Sequence, residues 1–240
     1  MIKLFWYSYF AIYLFLQSTS ILKVKYLKLF KPEEVDNYVD KKIKNIARHI
    51  LYKSKTIVEV YGLENIPSDP VVFVGNHEAI FDAFAILPYI TKSGFIAKKE
   101  IQKLPLVNWW LRQIHSVFID RTNVKDGIRA INQGVENIRK GYSMVIFPEG
   151  TRSLKSQMGE FKKGSLKLAL KSKAPIVPFT VDGTYRVLEV GNKVRGNTIK
   201  IMFHPPININ EISKEEEKNL SDIVYNIIKS GLDDFNKRQC

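Results

Sequence analysis

The sequence predicts an α/β fold: a mostly parallel central sheet of about seven strands flanked by helices, with an N-terminal two-helix membrane-docking element. Three observations lead there. Residues 4–22 form a 19-residue stretch without charge between Lys3 and Lys23. From about Thr56 onward, short apolar runs alternate with segments of helical periodicity, the pattern of strand–helix–strand units. Several of these runs are continuous, as in Val71-Val72-Phe73-Val74, which suits strands buried on both faces of a parallel sheet.

The N-terminal stretch is apolar mainly over residues 4–16 and crowds Phe5, Trp6, Tyr7, Tyr9, Phe10 and Tyr13 together. A helix of that length reaches about 28 Å, close to the roughly 30 Å of a hydrocarbon core. A secretory signal and a single span both fit this length. The expected arrangement is a helix dipping into one leaflet, because Trp and Tyr prefer the membrane interface. Lys23, Lys25, Lys28 and Lys31 would hold it there. A second helix follows. Pro32 suits a first helical turn, and Glu33 and Glu34 complement the positive end of the helix dipole. Val35, Val39, Ile43, Ile46, Ala47, Ile50 and Leu51 then recur at spacings of three and four, an amphipathic stripe. The two helices make residues 1–55 a membrane-associated hairpin element, with residues 56–240 the α/β domain.

Strands are expected at 57–60, 71–74, 95–97, 117–119, 145–147, 176–181 and 199–203. Helices are expected at 78–87, 106–114, 125–140, 164–171 and 215–237. The 192–197 loop and the C-terminal helix carry no functional signal.

With 37 Lys+Arg against 24 Asp+Glu, the 240-residue chain has a formal net charge of +13. Such an excess calls for an anionic partner: nucleic acid, anionic lipid, a phosphorylated substrate or an acidic carrier protein. Hydrophobic residues at 45% and charged residues at 25% exclude a disordered or collagen-like chain. The single cysteine, Cys240, excludes an intramolecular disulfide framework and a Cys-rich zinc site.

Several chemistries are excluded by spacing. His77-Glu78 opens like a zinc-protease motif, but position 81 is Phe, so the second His is missing. Gly159 and Gly164 have phosphate-loop spacing, yet Ser165-Leu166 stands where Lys-Ser/Thr is required. No G-x-S-x-G elbow exists, so a covalent acyl-serine route of that type has no support.

What remains is His77 and Asp82, directly after a strand. Five residues apart on one helix they would differ by about 140° and face apart. They meet if His77 sits in the turn and Asp82 in the first helical turn. A carboxylate on one imidazole nitrogen fixes the tautomer and leaves the other nitrogen as a base. On this pair alone, a structural histidine with Asp82 opening a helix is the more common reading, since such a spacing of one His and one Asp arises often by accident. A second element follows another strand: Phe147-Pro148-Glu149-Gly150-Thr151-Arg152-Ser153. Gly150 permits close backbone approach, Thr151 offers a hydroxyl, and Arg152 offers a planar fork suited to phosphate. Asp120-Arg121 and Lys98-Lys99-Glu100 end two further strands. Four successive strands thus end in polar or basic residues, where α/β sheets bind ligands. Residues 92–173 hold 17 Lys/Arg against 6 Asp/Glu, so the positive charge gathers around these motifs.

The set His77-x4-Asp82, Phe118-Ile119-Asp120-Arg121, Phe147-Pro148-Glu149-Gly150-Thr151-Arg152 and Pro175-Ile176-Val177-Pro178 resembles the four ordered motifs of the glycerolipid acyltransferases. It is most similar to their bacterial lysophosphatidate-acylating branch. Ala97-Lys98-Lys99-Glu100, Leu104-Pro105 and Trp109-Trp110-Leu111-Arg112 resemble the segment between the first two motifs. The resemblance covers roughly residues 56–210, and the family's N-terminal two-helix membrane-docking element resembles the first 55. One departure is visible: His115 stands three before Phe118, where many members have Gly.

The resemblance implies acyl transfer from a thioester to the sn-2 hydroxyl of 1-acyl-glycerol-3-phosphate, giving phosphatidic acid. His77 would take the hydroxyl proton and Asp82 would orient it. Arg121 and Arg152 would bind the phosphate, with Lys99 secondary. Glu149 would meet a glycerol hydroxyl or hold a neighbouring Arg, and Gly150 and Thr151 would shape the wall. It implies no metal or organic cofactor. It also implies an acyl carrier protein or acyl-CoA donor and attachment to an anionic membrane surface on the cytoplasmic face. Two alternatives stand beside it: another lyso-lipid acceptor, and a non-catalytic basic membrane-binding protein. Nucleic acid is not expected, because single-strand binders interleave aromatics with basic residues, and here the aromatics gather at the N-terminus.

Overall fold

The structure, a computed structural model, describes residues 2–162 and 164–237; Cys240 lies outside the described residues. Among them, seven strands form one sheet: β1 (Ile57–Tyr61), β2 (Val72–Gly75), β3 (Ser93–Lys98), β4 (Val117–Ile119), β5 (Ser143–Ile146), β6 (Ile176–Asp182) and β7 (Thr198–Phe203). Their order is β1-β7-β6-β2-β5-β3-β4. Neighbours pair in parallel except β6 and β7. The expected mostly parallel sheet is therefore present, with β1 and β7 running against the other five.

Strand side chains alternate between faces, and both faces are covered. Val71, Phe73, Val145, Val177 and Phe179 pack on one side with Trp6, Ile50, Phe81 and Trp110. Val72, Val74, Met144, Ile146 and Ile176 pack on the other with Ala130, Leu168, Val224 and Ile228. Helices α1 (Lys3–Leu16), α2 (Thr19–Phe30), α3 (Val35–Lys53), α4 (Phe81–Ile86) and α5 (Pro105–Gln113) thus cover the first face. Helices α6 (Val124–Arg139), α7 (Lys167–Ser172) and α9 (Lys214–Lys237) cover the second. A short helix, α8 (Tyr185–Leu188), lies in the β6–β7 connection. Thr180 on β6 ties α9 down by donating to the Ile228 carbonyl at 2.9 Å, so its oxygen accepts from His204 Nε2 at 2.7 Å. Burial pushes this His204 down to about 4.

The N-terminus differs from expectation. The uncharged stretch is not one helix: it breaks at Gln17–Ser18, so three helices rather than two precede the sheet. Tight i,i+3 bonds mark the break, Ser18 N–H to Phe15 O at 2.9 Å and Ile21 N–H to Ser18 O at 2.9 Å. The cause is local, since the hydroxyl residues of Ser18-Thr19-Ser20 favour turns and helix starts over helix interiors. Among the described residues no helix is long and apolar enough to cross a membrane.

These helices share one core with the sheet. Trp6 is 3% exposed, and its ring lies 6.2 Å from that of Phe81 on α4. Phe10 meets Phe84 edge-on at 5.8 Å. Trp6→Ala is therefore expected to cost about 3–5 kcal/mol, the range for a buried Trp truncated to Ala. Urea unfolding checks it: the midpoint should drop with the slope unchanged, and an unaltered midpoint would mean that α1 is dispensable to the core.

Candidate active site

β2, β5, β3 and β4 are adjacent and parallel, so the four polar strand ends lie along one edge. Asn76 locks β2 to β6 there, with Asn76 Nδ2 donating to Val181 O and Val181 N–H to Asn76 Oδ1, both at 2.8 Å. His77 follows in the turn, and Asp82 is the second residue of α4. They meet in the arrangement that the spacing allows: His77 Nδ1 and Asp82 Oδ2 are 2.6 Å apart.

Asp82 is fully buried. Its Oδ2 also accepts from Ala79 N–H at 3.1 Å, and its Oδ1 takes the Thr184 hydroxyl. The imidazole of His77 lies flat on Phe147, with ring centroids 4.2 Å apart. With Nδ1 as the N–H toward Asp82, Nε2 carries the lone pair.

The loop after β5 braces the turn after β2. Glu149 Oε1 accepts from His77 N–H and its Oε2 from Gly159 N–H, each at 2.7 Å. Each of its oxygens thus holds one backbone amide, and among the described residues no arginine lies within ion-pair distance of it. Burial raises its pKa, and the two N–H groups oppose the rise. Gly150 adopts φ +71°, a left-handed conformation, and a Cβ there would stand 2.8 Å from Lys162 Cε. Arg121 reaches across from the end of β4 and donates to the Gly150 carbonyl. Burial lowers its pKa, and among the described residues no carboxylate lies within ion-pair distance of it.

The other expected residues stand further out. Arg152 is paired with Glu189 at 2.8 Å. Lys99 is exposed and 3.6 Å from Asp120. Thr151 is exposed on the loop. Pro175–Pro178 lies at the start of β6 and braces the sheet: Pro175 O takes Val72 N–H at 2.9 Å and Pro178 O takes His204 N–H at 2.9 Å. His115 sits at the α5–β4 turn with φ 59°, which accounts for the glycine common at this place. It stacks on Tyr142 at 3.7 Å, near Asp36.

Sequence reasoning missed Thr184, Glu78 and the Phe147 platform. Asp182-Gly183-Thr184 is a polar run ending β6, the same signal that marked the other four strands. Glu78 is 1% exposed and accepts at Oε2 from Thr184 N–H at 3.0 Å. Burial, with Asp82 and Asp182 nearby, pushes its carboxyl up to about 9.

A family profile described as Acyltransferase matches residues 57–182. The chain is 32% identical over 198 residues to the probable 1-acyl-sn-glycerol-3-phosphate acyltransferase of Mycoplasma pneumoniae, covering 77% of this chain and 74% of that protein. It is 30% identical over 175 residues to the chloroplastic 1-acyl-sn-glycerol-3-phosphate acyltransferase BAT2 of Brassica napus, covering 71% of this chain. The match spans only about half the length of that relative and of LPAT1 from Arabidopsis thaliana. The crystal structure of the 1-acyl-sn-glycerophosphate acyltransferase PlsC from Thermotoga maritima superposes with a TM-score of 0.80 at 29% identity, covering 95% of both chains.

The Glu78 carboxyl makes stability depend on pH. The folded chain keeps a proton that the unfolded chain releases above its ordinary 4.5, so stability falls as pH rises toward about 9. His204, held at about 4, acts in the opposite sense but only below its ordinary 6.5. Between pH 7 and 9 the Glu78 contribution is therefore separate from it. Melting temperature should decline across that window in the wild type and decline less in Glu78→Gln. Parallel curves for the two proteins would refute a buried neutral Glu78.

Proposed function

The chain belongs to the acyltransferase family, and from that premise we propose that it transfers an acyl chain from a thioester to the sn-2 hydroxyl of 1-acyl-sn-glycerol-3-phosphate, giving phosphatidic acid. The observation that carries this reading is the His77–Asp82 contact at 2.6 Å on the edge where four basic or polar strand ends converge. His77 Nε2 takes the proton as the acceptor oxygen attacks the thioester carbonyl, and the imidazolium returns it to the departing thiolate. Asp82 stabilises the imidazolium between these steps. General-base help of this kind contributes about 10²–10⁴ in rate.

Arg121 is the first choice for the phosphate. A half-buried guanidinium with only a carbonyl partner described is poised for an anion. Arg152 would join it by leaving Glu189, with Lys99 contributing charge at longer range. Gly150 and Thr151 line the same loop. The donor, acyl carrier protein or CoA, is anionic in either case and suits the net charge.

Membrane attachment is supported by the outer faces of α1 and α2. Phe5, Ile12, Phe15, Leu16, Leu22, Leu29 and Phe30 are all more than 60% exposed. Lys23, Lys25 and Lys28 lie among those of α2, the composition of an interfacial helix. The cytoplasmic leaflet, with its negative surface potential, is the side that attracts such cations.

Thiol release from an acyl thioester in the presence of lysophosphatidate tests the chemistry. His77→Ala should reduce turnover at least about a hundredfold. Arg121→Gln should raise the KM for lysophosphatidate about tenfold or more while leaving that for the donor nearly unchanged. Near-normal turnover in folded His77→Ala protein would overturn the mechanism, and a preference for an uncharged-headgroup acceptor would redirect the substrate.

For attachment, deleting the N-terminus would remove Trp6 from the core, so outward-facing changes are the cleaner probe. Phe15, Leu22 and Leu29 replaced together by Asn should reduce sedimentation with anionic vesicles and leave the thermal melt unchanged. Undiminished sedimentation would place the membrane contact elsewhere.

A further inference from the structure

Thr184 has one hydroxyl proton and two carboxyl groups within its reach. Its Oγ1 bonds Asp82 Oδ1 and lies 3.1 Å from Glu78 Oε2. One O–H makes one such donation, so the second contact needs a proton from the carboxyl side. Asp82 is the wrong source. Its Oδ2 already accepts from His77 Nδ1 at 2.6 Å and Ala79 N–H at 3.1 Å, contacts that stabilise the ionised form. Glu78 is the right one. Its Oε2 also takes Thr184 N–H at 3.0 Å, but Glu78 is buried beside two carboxylates, and among the described residues its Oε1 has no hydrogen-bond partner. A buried oxygen without a partner costs less as the carbonyl of a neutral acid than as half of a carboxylate.

We propose that Glu78 and Thr184 are positioning residues: the Glu78 carboxyl donates to Thr184 Oγ1, Thr184 donates to Asp82 Oδ1, and Asp82 is thereby fixed with Oδ2 facing His77. Neither residue touches the reacting atoms. Each acts through the orientation of Asp82, and so through the tautomer and angle of the imidazole. The chain spans three elements, the turn after β2, the start of α4 and the end of β6, so the base is referenced to the sheet at two points. Charged groups act on Glu78 in both directions, with Arg186 of α8 favouring its ionised form. Asp82 and Asp182 raise the cost of a third negative charge beside them. Arg186 of α8 directs its Nε to the Tyr185 hydroxyl at 3.0 Å.

The proposal rests on His77 as the base, so its test includes a readout that does not depend on activity. Infrared difference spectra of the full-length protein at neutral pH should contain the carbonyl stretch of a protonated carboxylic acid, shifted in D2O and absent from Glu78→Gln. If that variant does not fold, ¹³C-carboxyl labelling of glutamate in the wild type decides the same point: one resonance should keep its protonated position through pH 7. Thr184→Val should lower kcat about ten- to a hundredfold, the scale of one charge-assisted hydrogen bond. Both KM values should stay within about twofold, and Thr184→Ser should recover most of the loss. No protonated glutamate at neutral pH, or wild-type kcat in folded Thr184→Val, overturns the proposal. Full turnover in His77→Ala with the carbonyl band intact would instead mark the general-base reading as the one that failed.

Discussion

Glu149 makes the bond on which the rest of the site depends. Its carboxyl spans two loops, with one oxygen on His77 N–H and the other on Gly159 N–H, both at 2.7 Å. The neighbouring backbone continues the join: Ser153 N–H reaches His77 O at 2.8 Å and Leu154 N–H reaches Glu78 O at 3.0 Å. The turn that carries His77 is therefore paired along its length with the loop after β5, though β2 and β5 have ended. Such pairing replaces the ladder bonds that the strands no longer supply. Without the carboxyl, two amides would be left without their acceptor, at roughly 1–3 kcal/mol for each that is buried, and the position of the His77 peptide would be undefined.

The sheet order explains why these loops meet. β2 lies between β5 and β6, and all three run the same way. Their ends therefore deliver His77, Glu149 and Thr184 to one point from three separate segments. The β6–β7 reversal lies just beyond, so the chain leaving β6 turns back through α8 and places Thr184 and Glu189 against the site. Glu189 then holds Arg152 at 2.8 Å, while Arg121 approaches from β4 on the opposite flank. The two arginines proposed for one ligand thus enter the site from different sides, one paired and one half-buried with, among the described residues, no carboxylate at ion-pair distance. That asymmetry is what ranks Arg121 first for the phosphate.

How much of this was legible depended on the range of the interaction. The seven strands were readable because continuous apolar runs such as Val71–Val74 report burial locally. The His77–Asp82 relation was readable because five residues of spacing constrain where the turn must end and α4 begin. The role of Glu149 was not, since its partners are main-chain amides, one of them 72 positions away, and an amide leaves no mark in residue type. Thr184 is 102 positions from Asp82. Its polar run at the end of β6 is visible in the sequence, but nothing in residue type ties it to a carboxylate so far away. The break at Gln17–Ser18 is also written in the hydroxyl residues, but the absence of charge over a stretch of helical length carries no mark that separates one helix from two.

The N-terminal helices add a mechanical argument. Trp6 packs against Phe81, which immediately precedes Asp82, and Phe10 packs against Phe84 on the same short helix. Helix α4 has six residues, too few to be stable alone, so its position is set by what it touches. On one side that is the sheet and Thr184; on the other it is α1, whose outer face presents Phe5, Ile12 and Phe15. The helix proposed to rest on the lipid surface is thus in direct contact with the helix that holds Asp82. In α1, inward residues pack on the helix that carries Asp82, and outward residues form the face proposed to meet the membrane. The two roles separate by helix face, which is why three or four residues of sequence spacing decide which one a substitution disturbs.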